Sequence, residues 1–469
     1  MLGNPEFKTY VEKKLDQRQL NRLKNALATS LEIPLTDRGL VQAANRDGAD
    51  RNDDTNYDAI WVRDSMWVSL SFIETARPEK ARKLLLAIWD YYSTPHQQKR
   101  FIDIIQNPSL ALDGGMLVPH IRFNGKSPDF TDVEENRKPQ EWNHRQNDAH
   151  GLFLLGVVQG FKSGILKNED LTEQRIQSLN VFVPYFEKIK FYNYSDAGAW
   201  EEINKINTSS IAMVVKSLEN WRDYLKKNDV IKKSLNWKPT TIKSLIALGY
   251  ERIRKNLALG GEAPDHAPLS QNYRREDAAL FNIFLPMPLM DLSRSEKLLA
   301  LTILEKLIRP YGVIRYPLDS YQSGNYWMKD KKTEGLPDFT GDTSSAGSFK
   351  ARFQYFIPGT EAQWFFDSKL SMIYLGQATD AKDLDVRSKY QRLAEYHFKK
   401  ALGQITPASG EVISADGSRV PNLTFPESIN TVILDGKYYF LPSPITPLNW
   451  AKASFAMNLS RMQESSTQK

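Results

Sequence analysis

No cysteine occurs among the 469 residues of this chain. The absence excludes disulfides, a thiolate nucleophile and zinc sites with cysteine ligands. Histidine is scarce as well, with six residues, of which His144 and His150 are the closest pair. The acidic stretch at residues 47–58 lacks the turn glycine and the closing glutamate of a calcium loop. We therefore expect neither a metal site nor a cofactor.

Long apolar runs are also missing, since none approaches the roughly 18 residues that a membrane helix needs. The first residues show no basic segment followed by an apolar one, so no secretory signal is visible. The sequence predicts a soluble protein without a membrane partner, either cytoplasmic or a processed secreted form. Its formal charge of +6 comes from 62 basic and 56 acidic residues, and no nucleic-acid-binding fold signature is present, so we expect no nucleic-acid partner.

Helical periodicity reveals two kinds of segment that alternate along the chain. Amphipathic helices are predicted at residues 9–29, 78–92, 169–189, 238–257, 293–308 and 385–402. Helices that are apolar on nearly every face are predicted at residues 64–76, 146–163, 207–225, 276–286, 361–376 and 447–461. Six exposed helices alternating with six buried ones predict an all-α fold, an (α/α)6 toroid with an inner and an outer ring of six helices each.

Other features of the chain agree with one large helical domain. The glycines Gly151, Gly156 and Gly160 lie in an apolar helix and predict close approach of neighbouring helices. Strand signals are minor, and residues 431–441 predict one short β-hairpin with an Asp-Gly turn. Because no Pro- or Ser-rich linker divides the sequence, we expect a single domain over residues 1–469, present as a monomer.

Four stretches place a charged residue near a tryptophan, a combination that suits a sugar-binding cleft. Indole rings stack on the apolar faces of sugars, and carboxylates and guanidinium groups bind the hydroxyls. The stretches are Trp61-Val62-Arg63-Asp64, Trp142-Asn143-His144-Arg145-Gln146-Asn147-Asp148, Trp200-Glu201-Glu202, and Arg315-Tyr316-Pro317 running on to Trp327. The third is the most informative, because glycoside hydrolysis needs a carboxylic acid held close to an apolar wall.

The position of these residues relative to the predicted helices suggests a common site. The first three stretches, Arg274-Arg275-Glu276-Asp277, Glu361 and Glu427 all fall at the N-terminal ends of predicted inner helices. If the inner helices run parallel, those ends share one rim, and residues distant in sequence converge on one cleft.

Structural roles compete with these functional ones. Trp200-Glu201-Glu202 is also compatible with a helix start whose acids lie near the favourable end of the helix dipole. Arg63 and Asp64 could form a buried ion pair, a role compatible with binding sugar hydroxyls. For other residues the sequence favours a structural role: core packing for Trp61 and Trp67, and helix capping for Asp148. Arg274-Arg275-Glu276 is expected to be a solvated charge run. For Glu361 and Trp364, a role at the rim of the cleft and a structural role are equally expected.

Seven motifs in sequence resemble glycoside hydrolase family 15, the glucoamylases. The match is closer to the branch that is similar to the regulatory α and β subunits of phosphorylase kinase. The motifs are Ala59-Ile60-Trp61-Val62-Arg63-Asp64-Ser65, Trp142-Asn143-His144-Arg145-Gln146-Asn147-Asp148-Ala149-His150-Gly151-Leu152, Trp200-Glu201-Glu202-Ile203, Ile206-Asn207-Thr208-Ser209-Ser210, Arg315-Tyr316-Pro317, Glu361-Ala362-Gln363-Trp364 and Pro447-Leu448-Asn449-Trp450. Their order is that of the family, whose barrel is also an (α/α)6 toroid.

The resemblance implies an enzyme that hydrolyses α-linked glucans or malto-oligosaccharides from the non-reducing end and releases glucose with inversion. Glu201 matches the family's general acid, and Glu427, in Pro426-Glu427-Ser428, is the match for the general base. Inversion needs two carboxyl groups roughly 6.5 to 9.5 Å apart, one protonated and one activating a water. By the same resemblance, the hydroxyls of the terminal glucose would be bound by Arg63, Asp64 and Arg315. An aromatic wall would be formed by Trp142 and Trp200. Glu202 is expected to bind or orient the substrate rather than to catalyse.

The sequence is also compatible with two other functions. One is a non-catalytic glycan-binding or regulatory module of the phosphorylase kinase subunit type, although the presence of both Glu201 and Glu427 favours the enzyme. The other is an α-glucosidase for a different linkage, of the isomaltose or trehalose type. A Gly/Ser/Asp/Lys-rich insertion between Trp327 and Glu361 resembles the kinase-subunit branch rather than fungal glucoamylases, and it leaves the preferred chain length open.

Overall fold

Helices dominate the computed structural model, which describes residues 7, 10, 12, 14–44, 57–267, 270–323 and 356–467. The chain forms two units. The central unit comprises Leu35–Gln42 and Ala59–Lys306, and the terminal unit comprises Met1–Pro34, Ala43–Asp58 and Leu307–Lys469. The expected single domain over residues 1–469 stays a prediction. The acidic stretch, up to residue 56, and the Gly/Ser/Asp/Lys-rich insertion, up to residue 355, lie outside the described residues.

The described elements are numbered in chain order. The helices are α1 Gln17–Ala26, α2 Val62–Glu74, α3 Pro78–Tyr92, α4 Pro95–Gln106, α5 Leu110–Asp113, α6 Asn147–Lys162, α7 Glu173–Asn180, α8 Phe182–Lys188, α9 Thr208–Leu225, α10 Asp229–Ser234, α11 Pro239–Leu259, α12 Arg294–Glu305, α13 Asp367–Asp380, α14 Leu384–Gly403 and α15 Asn449–Thr467. The strands are β1 Ile60–Trp61, β2 Arg122–Phe123, β3 Glu134–Glu135, β4 Lys138–Pro139, β5 Ile308–Arg309, β6 Gly312–Val313, β7 Gln363–Trp364, β8 Ser428–Leu434 and β9 Lys437–Pro442.

In the central unit, the predicted inner helices α2, α6 and α9 are buried on nearly every face. They pack against one another and against amphipathic helices such as α3 and α11. Gly151 explains how closely α6 and α9 approach, because a Cβ there would lie 2.8 Å from the backbone of Met213 and Val214. The predicted close packing at this glycine is therefore confirmed.

The prediction of a fourth inner α-helix at residues 276–286 is wrong. The segment forms a short 3-10 helix, Ala278–Ile283, whose first turn is capped by the side chain of Asp277. Pro286 and Pro288 follow at once, and prolines lack the N–H that an α-helical ladder needs. The buried Lys216 side chain of α9 donates to the carbonyls of Asn282 and Leu285, at 2.5 and 2.6 Å, and so satisfies the end of this segment.

The third predicted outer helix, at residues 169–189, is divided into α7 and α8 at Val181. Helices α4, α5 and α10 are additional elements that the periodicity did not indicate. None of the helices in the described part of the chain is both long and apolar enough to cross a membrane.

In the terminal unit, α13 and α15 are largely buried and α14 packs beside them with an exposed face. The predicted hairpin is confirmed: β8 pairs with β9 around Asp435 and Gly436, whose φ angles of 49° and 73° suit a tight hairpin turn. The hairpin is part of a five-stranded antiparallel sheet in the order β5 to β9. The two-residue strands that extend it were missed, because such short segments carry no alternation pattern.

Candidate active site

The loop that connects α8 to α9 carries Glu201 in an unusual backbone conformation. A 3-10 turn, Gly198–Trp200, leads into Glu201, which is left-handed with φ 61° and ψ 34°. The loop is closed by an antiparallel bridge between Asp196 and Lys205. It is joined to the segment before α6 by the Ala197 N–H, which donates to the Arg145 carbonyl at 2.7 Å. A non-glycine residue in this region costs free energy and is found where the surrounding structure enforces it, often at functional sites.

The Glu201 carboxyl is half-buried beside a guanidinium group. Its side chain is 18% exposed, and Oε1 lies 3.2 Å from Nη1 of Arg63. Burial raises the pKa of Glu201, while the charges of Arg63 and Arg122 and the hydrogen bond from Arg63 oppose this rise. Burial prevails, so the carboxyl keeps its proton to a higher pH than an exposed glutamate does.

Arg63 is held on several sides at once. Its Nε and Nη2 donate to the two oxygens of Asp148, at 2.7 and 3.2 Å. Nη2 also donates to Oε1 of Gln146 at 2.5 Å and to the Gly198 carbonyl at 3.1 Å. Arg63 therefore forms a buried ion pair with Asp148, whereas the pair considered from the sequence was Arg63 with Asp64, which stays a prediction. With a side chain only 5% exposed, Arg63 is placed to fix Glu201.

Asp148 has a different role from the helix cap that was expected. It lies in the first turn of α6, and the side chains at the start of this helix provide no cap. The N–H of Asn147 donates instead to Oδ2 of Asp196 at 2.9 Å. The expectation was wrong because the carboxylate of Asp148 is committed to a bidentate pair with Arg63.

Asp196 joins the starts of the two inner helices α6 and α9. Besides Asn147 at the start of α6, it accepts a 2.7 Å hydrogen bond from Nδ2 of Asn207, the residue before α9. Burial, reinforced by the charge of Asp148, raises the pKa of Asp196 to about 7. Sequence reasoning missed this residue, because its partners are defined only once both helices have formed.

The neighbours of Glu201 in sequence anchor the loop through a buried charge network. Glu202 accepts from Arg274 at 2.9 Å and from Lys205 at 3.4 Å. Arg274 also pairs with Asp277 at 3.0 Å, and the Asp277 carboxylate accepts the indole N–H of Trp200 at 2.7 Å. Arg274 is buried, so the expected solvated charge run is wrong at this position. The contacts of Glu202 suit orienting the loop.

Further aromatic and charged residues lie on or near the short β1–β2 pair and in α2. Arg122 lies opposite Trp61 in the strand register, and its guanidinium carbon is 4.7 Å from the Trp61 ring and 4.1 Å from the Trp142 ring. Trp61 and Trp67 are buried, as expected for core residues, and Trp142 is half-buried. Asp64 is buried in the first turn of α2.

Within the terminal unit, Glu427 lies immediately before β8 and is only 2% exposed. Its Oε1 accepts from the Tyr57 hydroxyl at 2.8 Å, and its Oε2 accepts from Nε2 of Gln322 at 2.6 Å. Burial and the charge of Glu427 raise the pKa of Tyr57 well above its usual value, so that hydroxyl remains a donor. Neither Tyr57 nor Gln322 was predicted, because no motif connects them with Glu427.

Arg315 is fixed by a carboxylate four residues later. Its Nε and Nη2 donate to the two oxygens of Asp319, at 2.6 and 2.7 Å. The guanidinium lies 4.7 Å from the Tyr321 ring and 5.2 Å from that of Trp364. Glu361 is buried and accepts the backbone N–H of Leu318, so its contact supports this loop.

In residues 14–44, 57–267, 270–323 and 356–467, no group of three or more His, Asp or Glu side chains is arranged to hold a metal ion.

A half-buried carboxyl beside a tryptophan suits the carboxylic acid that glycoside hydrolysis needs. The chain belongs to the glycosyl hydrolases family 15, whose family model matches residues 18–387. The fold is accordingly all-α and of the (α/α)6 toroid class.

Solved structures of glycosidases are similar to the chain over nearly its whole length. A glucoamylase from Saccharomycopsis fibuligera is 15% identical, with a TM-score of 0.60 over 99% of each chain. A wild-type glycosidase is 15% identical, with a TM-score of 0.56 over 96% of this chain and 99% of the other. A glycosidase variant in complex with glucose is 14% identical, with a TM-score of 0.57 over the same shares. At these identities the likeness shows the fold.

Two curated relatives from Escherichia coli strain K12 are closer in sequence over shorter stretches. The uncharacterized lipoprotein YgeQ is 42% identical over 149 residues, which are 31% of this chain and 56% of that protein. The putative protein YgeP is 41% identical over 58 residues, which are 12% of this chain and 59% of that protein. The chain thus covers less than two thirds of either relative.

Proposed function

We propose that this family 15 glycoside hydrolase is an inverting, exo-acting α-glucosidase. It releases glucose from the non-reducing ends of α-glucans or malto-oligosaccharides, with Glu201 as general acid and Glu427 as general base. The environment of Glu201 is the observation that carries the proposal.

A general acid must be protonated near the working pH and must still reach its substrate. Burial raises the pKa of Glu201, and its 18% exposure leaves the carboxyl accessible. The hydrogen bond from Arg63 limits the rise and fixes the orientation of one oxygen. The two influences together suit an acid that donates its proton to the glycosidic oxygen and is then stabilised as a carboxylate.

The base needs an ionised carboxylate in a fixed orientation. Both oxygens of Glu427 accept hydrogen bonds, Oε1 from Tyr57 and Oε2 from Gln322. Donors to a carboxylate favour its charged form, and two donors restrict its rotation. In the proposed reaction, Glu427 removes a proton from the water that attacks the anomeric carbon, while the leaving oxygen receives the proton of Glu201.

We divide the remaining predicted residues into candidates for sugar contact and residues that hold Glu201. Trp142 is half-buried and is our candidate for the aromatic wall, with Asp64 and Arg315 as candidates for hydroxyl contacts. Arg63, Trp200 and Glu202 are bound to other protein groups, and we assign them to holding Glu201 in place. Glucose is the natural product to test, since one neighbouring glycosidase was solved in complex with it.

The decisive experiment follows the anomeric protons by NMR at early times after mixing the protein with maltotriose. β-Glucose formed first, and only from the non-reducing end, is the expected result. α-Glucose formed first would contradict the inverting scheme. Binding without turnover on maltotriose, isomaltose and trehalose would favour the non-catalytic module, and turnover of only one of the latter two would reassign the linkage. The Glu201→Gln variant is the inactive control.

A further inference from the structure

We propose that Arg122 is a positioning residue of the hydrolytic reaction: its guanidinium, clamped between Trp61 and Trp142, fixes the Trp142 ring and acts electrostatically on Glu201. The inference rests on the proposed role of Glu201 as general acid. Arg122 belongs to none of the sequence motifs.

The clamp follows from the pairing of two short strands. Strands β1 and β2 pair antiparallel with Trp61 directly opposite Arg122, and the Val62 N–H donates to the Ile121 carbonyl at 2.9 Å. The Trp142 ring meets Trp61 edge-on, with centroids 6.4 Å apart and planes at 77°. The guanidinium therefore lies against two indoles, 4.7 and 4.1 Å from their centroids. Nη1 of Arg122 is further fixed by Oε1 of Gln140 at 2.7 Å.

The position of Trp142 depends on this stacking. Its indole Nε1 is buried and has no hydrogen-bond acceptor among the described residues. A cation against an indole contributes about 2 kcal/mol or more when it is desolvated, and Arg122 is only 2% exposed. The stack with Arg122 is thus a main constraint on a ring that we propose as part of the sugar-binding wall.

The charge of Arg122 also reaches the acid. Burial and the charge of Asp148 raise the pKa of Glu201. The positive charges of Arg63 and, next in size, of Arg122 lower it. Arg63 lies on α2, Asp148 on α6 and Arg122 on β2, so three elements set the field at the carboxyl. Since a buried charge is poorly screened, removing Arg122 changes that field more than removing an exposed arginine would.

Two histidines, His144 and His120, lie close to this cluster. Burial and nearby positive charges, Arg122 among them, lower the pKa of His144 well below its usual value, and its Nδ1 accepts from the Ile121 N–H. Its neutral ring stacks on His120, which pairs with Asp132 at 2.6 Å. The lowered pKa of His144 favours its uncharged form.

Two substitutions separate the stacking from the charge. Arg122→Met removes the charge, so the pKa of Glu201 should rise and the alkaline limb of kcat/KM should move upward by about one pH unit. Arg122→Lys keeps the charge but loses the planar stack, so KM should rise several-fold with little change in the pH profile. Arg252→Lys, at another buried arginine of the central unit that pairs with Asp265, should change neither quantity.

A second readout does not depend on activity. The ten tryptophans are replaced by 5-fluorotryptophan, and the 19F resonance that Trp142→Phe removes is assigned to Trp142. In Arg122→Lys this resonance should shift and broaden, while in Arg252→Lys it should stay unchanged.

The outcomes distinguish this inference from the proposed function. The inference about Arg122 would be overturned by a folded Arg122→Met whose kcat/KM profile has the same alkaline limb as the wild type. An unchanged KM and an unchanged 19F resonance in Arg122→Lys would overturn it as well. If Arg122→Met does not fold, Arg122→Lys decides. An inactive wild type whose Trp142 resonance still responds to Arg122→Lys would refute the proposed function and leave the clamp standing. An active, inverting wild type with unresponsive variants would refute the role of Arg122 alone.

Discussion

Nη1 of Arg63 lies 3.2 Å from Oε1 of Glu201, while its Nε and Nη2 form a bidentate pair with Asp148. The Arg63 guanidinium thus contacts two carboxyl groups. We propose that Glu201 titrates during catalysis, while Asp148 neutralises the positive charge of Arg63. Without Asp148, the positive charge of Arg63 would act on Glu201 at full strength and favour the carboxylate. The pair therefore helps to keep Glu201 an acid.

The Glu201→Gln substitution should lower kcat by about 100-fold or more and leave KM nearly unchanged. Glutamine keeps the shape and the acceptor for Arg63 but has no acidic proton to transfer to the glycosidic oxygen. Steady-state kinetics on maltotriose measure both constants. Glu187→Gln, at an exposed glutamate of α8, is the matched control and should behave like the wild type. A Glu201→Gln variant with near wild-type kcat would remove the acid assignment.

Asp148→Asn should move the alkaline limb of the kcat/KM profile to lower pH. Asp148 raises the pKa of Glu201 through its charge, so its neutralisation lowers that pKa and the acid form is lost earlier. The variant should also be less stable, by about 3 to 5 kcal/mol, because Arg63 is left buried without a charged partner at this position. Urea unfolding reports the stability, and a limb displaced to higher pH would contradict the argument.

Tyr57→Phe should reduce kcat about tenfold, because Glu427 loses the hydrogen bond at Oε1 that fixes its orientation. The chain offers a matched control in Tyr250, whose hydroxyl donates to Oε1 of Glu219 at 2.6 Å. Tyr250→Phe removes the same kind of bond in the central unit without touching the proposed base. It should lower stability while kcat stays unchanged. Equal effects of the two substitutions on kcat would mean that Tyr57 acts only through stability.

Much of the helical pattern could be predicted from the sequence because burial leaves a trace in composition. Helix α9 is buried on all sides and was predicted at 207–225, against Thr208–Leu225 in the structure. The fourth inner helix was mispredicted for a local reason, since Pro286 and Pro288 outweigh the apolar run before them.

The contacts of the candidate site were less predictable. Arg63 and Asp148 are separated by 85 positions, and Tyr57 and Glu427 by 370. Pairings of this kind depend on how loops pack, which a residue's neighbours in sequence do not determine. Asp148 illustrates the difference: its position at a helix start suggested a cap, and a partner on another helix decided its role.

The stability of the protein should depend on pH through Asp196. Its pKa is raised from 3.8 to about 7, so between about pH 4 and pH 7 the folded protein keeps a proton that the unfolded chain has released. Its contribution to the free energy of unfolding is therefore fully present below pH 4 and is lost as the pH rises to 7.

Asparagine at this position does not titrate. The difference in unfolding free energy between the wild type and Asp196→Asn should thus shrink as the pH rises, by up to about 1.4 kcal/mol per pH unit. Urea unfolding of both proteins at several pH values measures it, and a difference that stays constant or grows with pH would show that Asp196 is already ionised in the folded protein.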